Sequence, residues 1–185
     1  MSGASIPARA GSAPGGRHGL LLVGILLLAS NMRPAITSVG PVLEIVRGDL
    51  HLSAGTASAL ISVPLIAFAL VSPVAPWLAF RVGMERVLGL ALGTLAVGIV
   101  LRSVPWLPGL WIGTVLLGVA IAVLNVIVPS LVKRDFPNRI GQITGTYSAV
   151  QDGFAALAAG RAGPIAGIAP DGWGLSLGIW VGLVV

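Results

Sequence analysis

Residues 20–42 read LLLVGILLLASNMRPAITSVGPV, an apolar run with Arg33 near its middle, in Asn31-Met32-Arg33-Pro34. A bilayer core about 30 Å thick takes about 20 apolar residues to cross as a helix, and this run is long enough. A guanidinium near the centre of such a helix costs several kcal/mol unless something pairs with it, so Arg33 is a functional candidate by default. Pro34 removes a backbone hydrogen bond at the same level. The carbonyl it frees needs a polar cavity or a neighbouring helix.

The rest of the chain agrees with a membrane setting. It is 56% hydrophobic and 9% charged, and its apolar residues form long blocks separated by short charged clusters. A soluble domain cannot bury that much apolar surface. Ten-residue segments of alternating polarity are absent, which argues against an outer-membrane barrel. The expected fold is an all-α, multi-pass bundle. Net charge is +5, yet no basic face carries interleaved aromatics, so nucleic acid is not an expected partner and topology is the better explanation. With no cysteine, and with His18 and His51 outside the apolar blocks, neither a metal site nor a cofactor is expected.

Residues 1–19 are rich in Ser, Ala, Gly and Pro and read as a disordered tail. Spans are expected at about 20–42, 54–76, 87–101, 107–131, 142–165 and 173–185. The last holds only about 13 residues after Gly172, an incomplete sixth helix, so either the sequence is a fragment or this segment is not a full span. Arg9, Arg17, Arg81, Arg86, Lys133, Arg134 and Arg139 fall on one side of this plan, with Arg47 and Arg102 on the other. Basic loops prefer the cytoplasm, so the N-terminus is expected there. Trp77, Trp106 and Trp173 mark span ends. Gly89-x-x-x-Gly93, Gly141-x-x-x-Gly145 and Gly163-x-x-x-Gly167 suit close helix packing.

Span one places Ser30, Arg33 and Thr37 on one face, and Arg33 lies roughly 20 Å from the cytoplasmic edge at 1.5 Å per residue. Span five carries a polar stripe, Thr144, Tyr147, Ser148, Gln151 and Asp152, with Ile143, Val150, Phe154 and Leu157 on the opposite, lipid-suited face. Asp152 lies roughly 18 Å into its span, a depth similar to that of Arg33. Two readings of Arg33 follow. It pairs with Asp152 and holds two helices together, or it faces a cavity and binds an anionic or strongly polar solute through its planar donor fork. The second is preferred, with Asn31, Asn125, Tyr147 and Gln151 as further cavity-lining candidates. Asp152 is then a possible ion-pair partner or a proton acceptor for coupling. Asn125 and Pro129 of span four echo Asn31 and Pro34 of span one, in keeping with an inverted repeat.

Three stretches carry a family resemblance: NMRPAITSVGP over 31–41, RVGMERV over 81–87 and NVIVPSLVKRDFP over 125–137. They resemble the cyanate and 2-nitroimidazole transporter branch of the major facilitator superfamily. The resemblance implies a fold of twelve helices in two pseudo-symmetric halves with one solute site between them. This sequence corresponds to the N-terminal six-helix half. It also implies a bacterial inner-membrane location, a small-molecule solute, and a C-terminal half as partner. The superfamily's pattern between spans two and three keeps Arg81 and Gly83, while Pro76, Phe80, Met84 and Glu85 stand at four altered positions. Thr114 stands where many proton-coupled members carry an arginine ahead of a glycine, here Gly118. The expected function is secondary transport by alternating access. A non-transporting structural or regulatory membrane module is the alternative. A membrane-embedded enzyme ranks last, because no histidine or cysteine lies in any span to supply catalytic groups.

Overall fold

The computed structural model describes residues 15–37, 39–104, 106–166 and 177. Residues 1–14 of the expected tail, and the span expected at 173–185 apart from Leu177, lie outside them. The described residues form eight helices and no strand: α1 (Gly15–Met32), α2 (Pro34–Thr37), α3 (Val39–Asp49), α4 (Ala54–Val71), α5 (Ala75–Val82), α6 (Met84–Ser103), α7 (Leu107–Asp135) and α8 (Ile140–Ala166).

Local chemistry sets the breaks. Arg33 is a turn residue between α1 and α2, because the Pro34 ring has no N–H to continue the ladder. The chain restarts on the Arg33 carbonyl, which accepts from the amides of Ile36 and Thr37 at 3.0 Å each. Ser53 caps α4, its hydroxyl accepting from the Thr56 amide at 3.2 Å. Helix α4 ends at Val71, two residues ahead of Pro73. Between α5 and α6 the backbone of Gly83 has φ of 97°, a conformation that only glycine adopts without strain.

Helices α4, α6 and α7 are each long and apolar enough to cross a membrane, and α7 is the most buried of the three. At 29 residues, α7 is about 44 Å long. Leu65, Leu70 and Phe80 point outward with most of their surface exposed, as suits a lipid-facing exterior. Apolar packing is stacked in three levels. At one end Ile25 of α1 and Ile143 of α8 pack with Val128, Leu131 and Val132 of α7. The middle level joins Met32 to Leu95 and Ile99 of α6 and to Leu117, Ile121 and Leu124 of α7. The far end gathers Val42 and Val46 of α3 with Leu60, Leu110 and Ala162.

Ile143 therefore departs from the lipid-facing role expected of it: α8 is turned so that this residue enters the core between α1 and α7. The close helix approaches also differ from expectation. Around Gly89, Gly93, Gly141 and Gly145 there is open space, and Gly167 of the third motif lies outside the described residues. The tight contacts fall elsewhere. A Cβ at Gly113 of α7 would lie 2.6 Å from the Gly98 carbonyl oxygen and the Arg102 amide nitrogen of α6. One at Gly118 would lie 2.8 Å from the Cα of Pro64 in α4. Helix α7 is thus clamped between α6 and α4, while α8 packs along α1, α2 and α3.

Candidate solute-binding cleft

A cleft of about 610 Å³ opens where these two groups of helices meet. Arg33 and Ile36 line it from the α1–α2 break, Pro64 and Phe68 from α4, Ile121 and Asn125 from α7, and Gln151 from α8. Every polar side chain here sits at a level where the backbone ladder is interrupted or the helix is polar on one face. Pro34 follows Arg33 directly. Pro129, four residues after Asn125, removes the amide that would otherwise bond the Asn125 carbonyl. Pro64 is buried inside α4 and forms part of the cleft wall. Irregular backbone inside a membrane is tolerated where it lines a cavity; Pro64 lines this one, and Arg33 and Asn125, at the other two interruptions, line it too.

Arg33 is the only cation on the cleft wall among the described residues. Its Nη1 bonds Asp152 Oδ1 of α8, and both side chains remain more than half exposed, at 53% and 62%. The pair is open at the surface, and a solute can approach the guanidinium without first dismantling a buried ion pair. Asn125 is exposed, and its Nδ2 donates to the Ile121 carbonyl at 3.0 Å, which leaves its side-chain oxygen directed away from that bond. Thr37 stabilises the break: its hydroxyl lies 3.1 Å from the Arg33 carbonyl and 3.4 Å from the Ala155 carbonyl of α8.

Of the sequence candidates, Arg33, Asn125 and Gln151 share the cleft, and Asp152 reaches it through Arg33. Asn31 and Tyr147 do not line it. Asn31 is 2% exposed, beneath the α1 surface. Tyr147 packs at the edge of the Ile25 and Val132 level. Arg102 stands far from its expected setting. Placed by the sequence among the loop cations, it is 1% exposed, in the last turn of α6. The signal that could have found it is its register: Arg102 follows Leu95, Gly98 and Ile99 on the α6 face that meets α7. No group of His, Asp and Glu residues that could hold a metal occurs among the described residues.

The structure is an all-helical bundle with helices apolar enough to cross a membrane and a cleft that holds Arg33, Asn125 and Gln151. The chain is related to bacterial transporters of the major facilitator type. It is 44% identical over 165 residues to the uncharacterized transporter YycB of Bacillus subtilis strain 168. It is 40% identical over 147 residues to the 2-nitroimidazole transporter of Escherichia coli strain K12, and 31% identical over 140 residues to that organism's cyanate transport protein CynX. These alignments cover 89%, 80% and 75% of this chain, but only 41%, 37% and 36% of the respective relatives. The chain thus spans about two fifths of the length of each relative. No family model matches the chain, and no solved structure matches it significantly.

Proposed function

We propose that the chain forms the N-terminal six-helix half of a secondary transporter of the bacterial inner membrane. It moves a small polar or anionic solute by alternating access against a C-terminal half. The N-terminus lies in the cytoplasm, with the basic residues around Arg81 and Lys133. The observation that carries this reading is the cleft: one guanidinium, one amide from α7 and one from α8 converge in it, between apolar walls that include Pro64. Arg33 binds the solute through two parallel N–H donors, and Asn125 and Gln151 orient it. Coverage of about two fifths of each relative's length supports a second half that completes the cleft from the open side. The test is flux in liposomes containing the full-length protein, with cyanate and 2-nitroimidazole as first probes because two relatives are named for them. Arg33→Lys should reduce saturable flux strongly while the protein remains folded. Unchanged flux in that variant would sink bidentate recognition.

A second reading is favoured by the observed bond between Arg33 and Asp152: the two residues act as a strut between α1 and α8. Exchanging them, Arg33→Asp with Asp152→Arg, separates the readings. Recovered transport after loss in both single variants would assign the pair to structure.

A further inference from the structure

Beyond the Arg33 cleft lies a second cavity of about 230 Å³, and the two share Ile36, Ile61 and Pro64 as walls. Its polar groups are the guanidinium of Arg102 and the hydroxyls of Thr37 and Thr114. Nε and Nη2 of Arg102 are buried and bond to nothing among the described residues. A buried cation whose donors are left unsatisfied is costly, and native proteins retain such groups where a ligand or function supplies the missing partner. The described carboxylates do not supply it. Glu44 pairs with Arg47, Glu85 and Asp135 pair with Arg134, Asp152 pairs with Arg33, and Asp49 is exposed with no ion pair to Arg102.

We infer that Arg102 and its cavity form a second binding site for a small anion, distinct from the one at Arg33. The anion is compact and accepts several hydrogen bonds, of the carboxylate or oxyanion class, bound by Nε and Nη2 with the Thr37 hydroxyl beside it. Liquid water takes about 30 Å³ per molecule, so the cavity has room for such an ion with a few waters. Thr114 is committed to the Leu110 carbonyl at 2.6 Å and serves as the cavity floor. From Arg33 to Gly40, which lines the second cavity, the chain advances about 10 Å along α2 and α3. The two sites are therefore successive stations toward the α3 end of the bundle. That they lie on one transport route rests on the reading of the Arg33 cleft above; the affinity of Arg102 for an anion does not.

Thermal unfolding of the full-length protein in lipid-free detergent, with sodium formate replacing sodium chloride at constant ionic strength, tests the site. Arg33→Gln removes the first station, and in that background formate should still raise the unfolding temperature in proportion to the logarithm of its concentration. Adding Arg102→Gln should weaken formate binding by about tenfold or more, because charge-assisted hydrogen bonds are lost. Thr114→Leu fills the cavity without touching the guanidinium and should abolish the shift even if Arg102→Gln fails to fold. A shift that persists in the Arg33→Gln/Thr114→Leu protein would overturn the proposal. So would stabilisation that appears only when anionic phospholipid is added. Asp171, outside the described residues, gives a further decisive arm: formate binding that appears only in Asp171→Asn would make an internal ion pair the answer, and would overturn the anion site. Absence of any formate shift in the Arg33→Gln protein, alongside Arg33-dependent flux in the unaltered protein, would leave the transport reading standing and remove this one.

Discussion

Gly113→Ala should destabilise the protein far more than Gly89→Ala, although both replace glycine by alanine in a transmembrane helix. The new Cβ at position 113 would lie 2.6 Å from two backbone atoms of α6, against ordinary contact from about 3.4 Å, so α6 and α7 must separate by roughly 0.8 Å. Backbone atoms cannot rotate aside as a side chain can. A gap of 0.5–1 Å forfeits roughly a quarter to a half of the dispersion well for each contact it opens, and α6 with α7 is the most extensive helix pairing among the described residues. Overpacking of this kind costs about 1–3 kcal/mol. Alanine also recovers about 0.8–1 kcal/mol of helix propensity, but Gly89, with nothing within 4 Å, receives the same gain without the clash. The difference between the two variants isolates the steric term. Equilibrium unfolding in mixed micelles should place Gly113→Ala below Gly89→Ala by about 1–3 kcal/mol. Coincident transitions would mean that α6 and α7 are not in the contact described.

Three further outcomes are expected. Asp152→Asn leaves Arg33 without its competing carboxylate, so the apparent affinity of full-length protein for an anionic solute should rise; a lower affinity would mean that Asp152 positions the guanidinium instead. Gly83→Ala should cost about 1–2 kcal/mol, because its φ of 97° forces a side chain into a disfavoured region, and an unchanged unfolding midpoint would contradict that turn. A reporter inserted beside Arg47 should behave as external, and cytoplasmic behaviour there would reverse the proposed orientation.

The all-helical character could be read directly, because the length of an apolar run is a local signal. Pro34 also marks a lost hydrogen bond without reference to any neighbour, although the run expected as one span over 20–42 is divided among α1, α2 and α3. Equal depth along two helices likewise brings Asp152 to Arg33, since depth is only residue count times rise. What escaped was rotation about the helix axes. Ile143 lies opposite the polar stripe of α8, yet α8 turns it toward Ile25 and Val132. Asn31 is near Arg33 in sequence but on the covered side of α1, so only Arg33 reaches the cleft. The close-packed glycines were misjudged for the same reason. Gly89 and Gly93 have motif spacing and face open space, whereas Gly98 and Gly113 meet because the seam of α6 and α7 runs through them. Arg102 is hidden by that seam, and no count of charges along the chain reveals which basic residue a neighbouring helix will cover.

Pro34, Pro64 and Pro129 each take one rung from the helical ladder of the bundle, and together they give it the mechanics of a notched beam. An intact helix resists bending through its ladder of hydrogen bonds; with a rung missing, flexure there breaks nothing that has not already been given up. The notches are staggered: Pro64 faces Gly118 of α7, and Pro129 lies eleven residues further along that helix. Strain applied at either end of the bundle is taken up at these notches, and Pro34 puts one of them directly beside the guanidinium of Arg33.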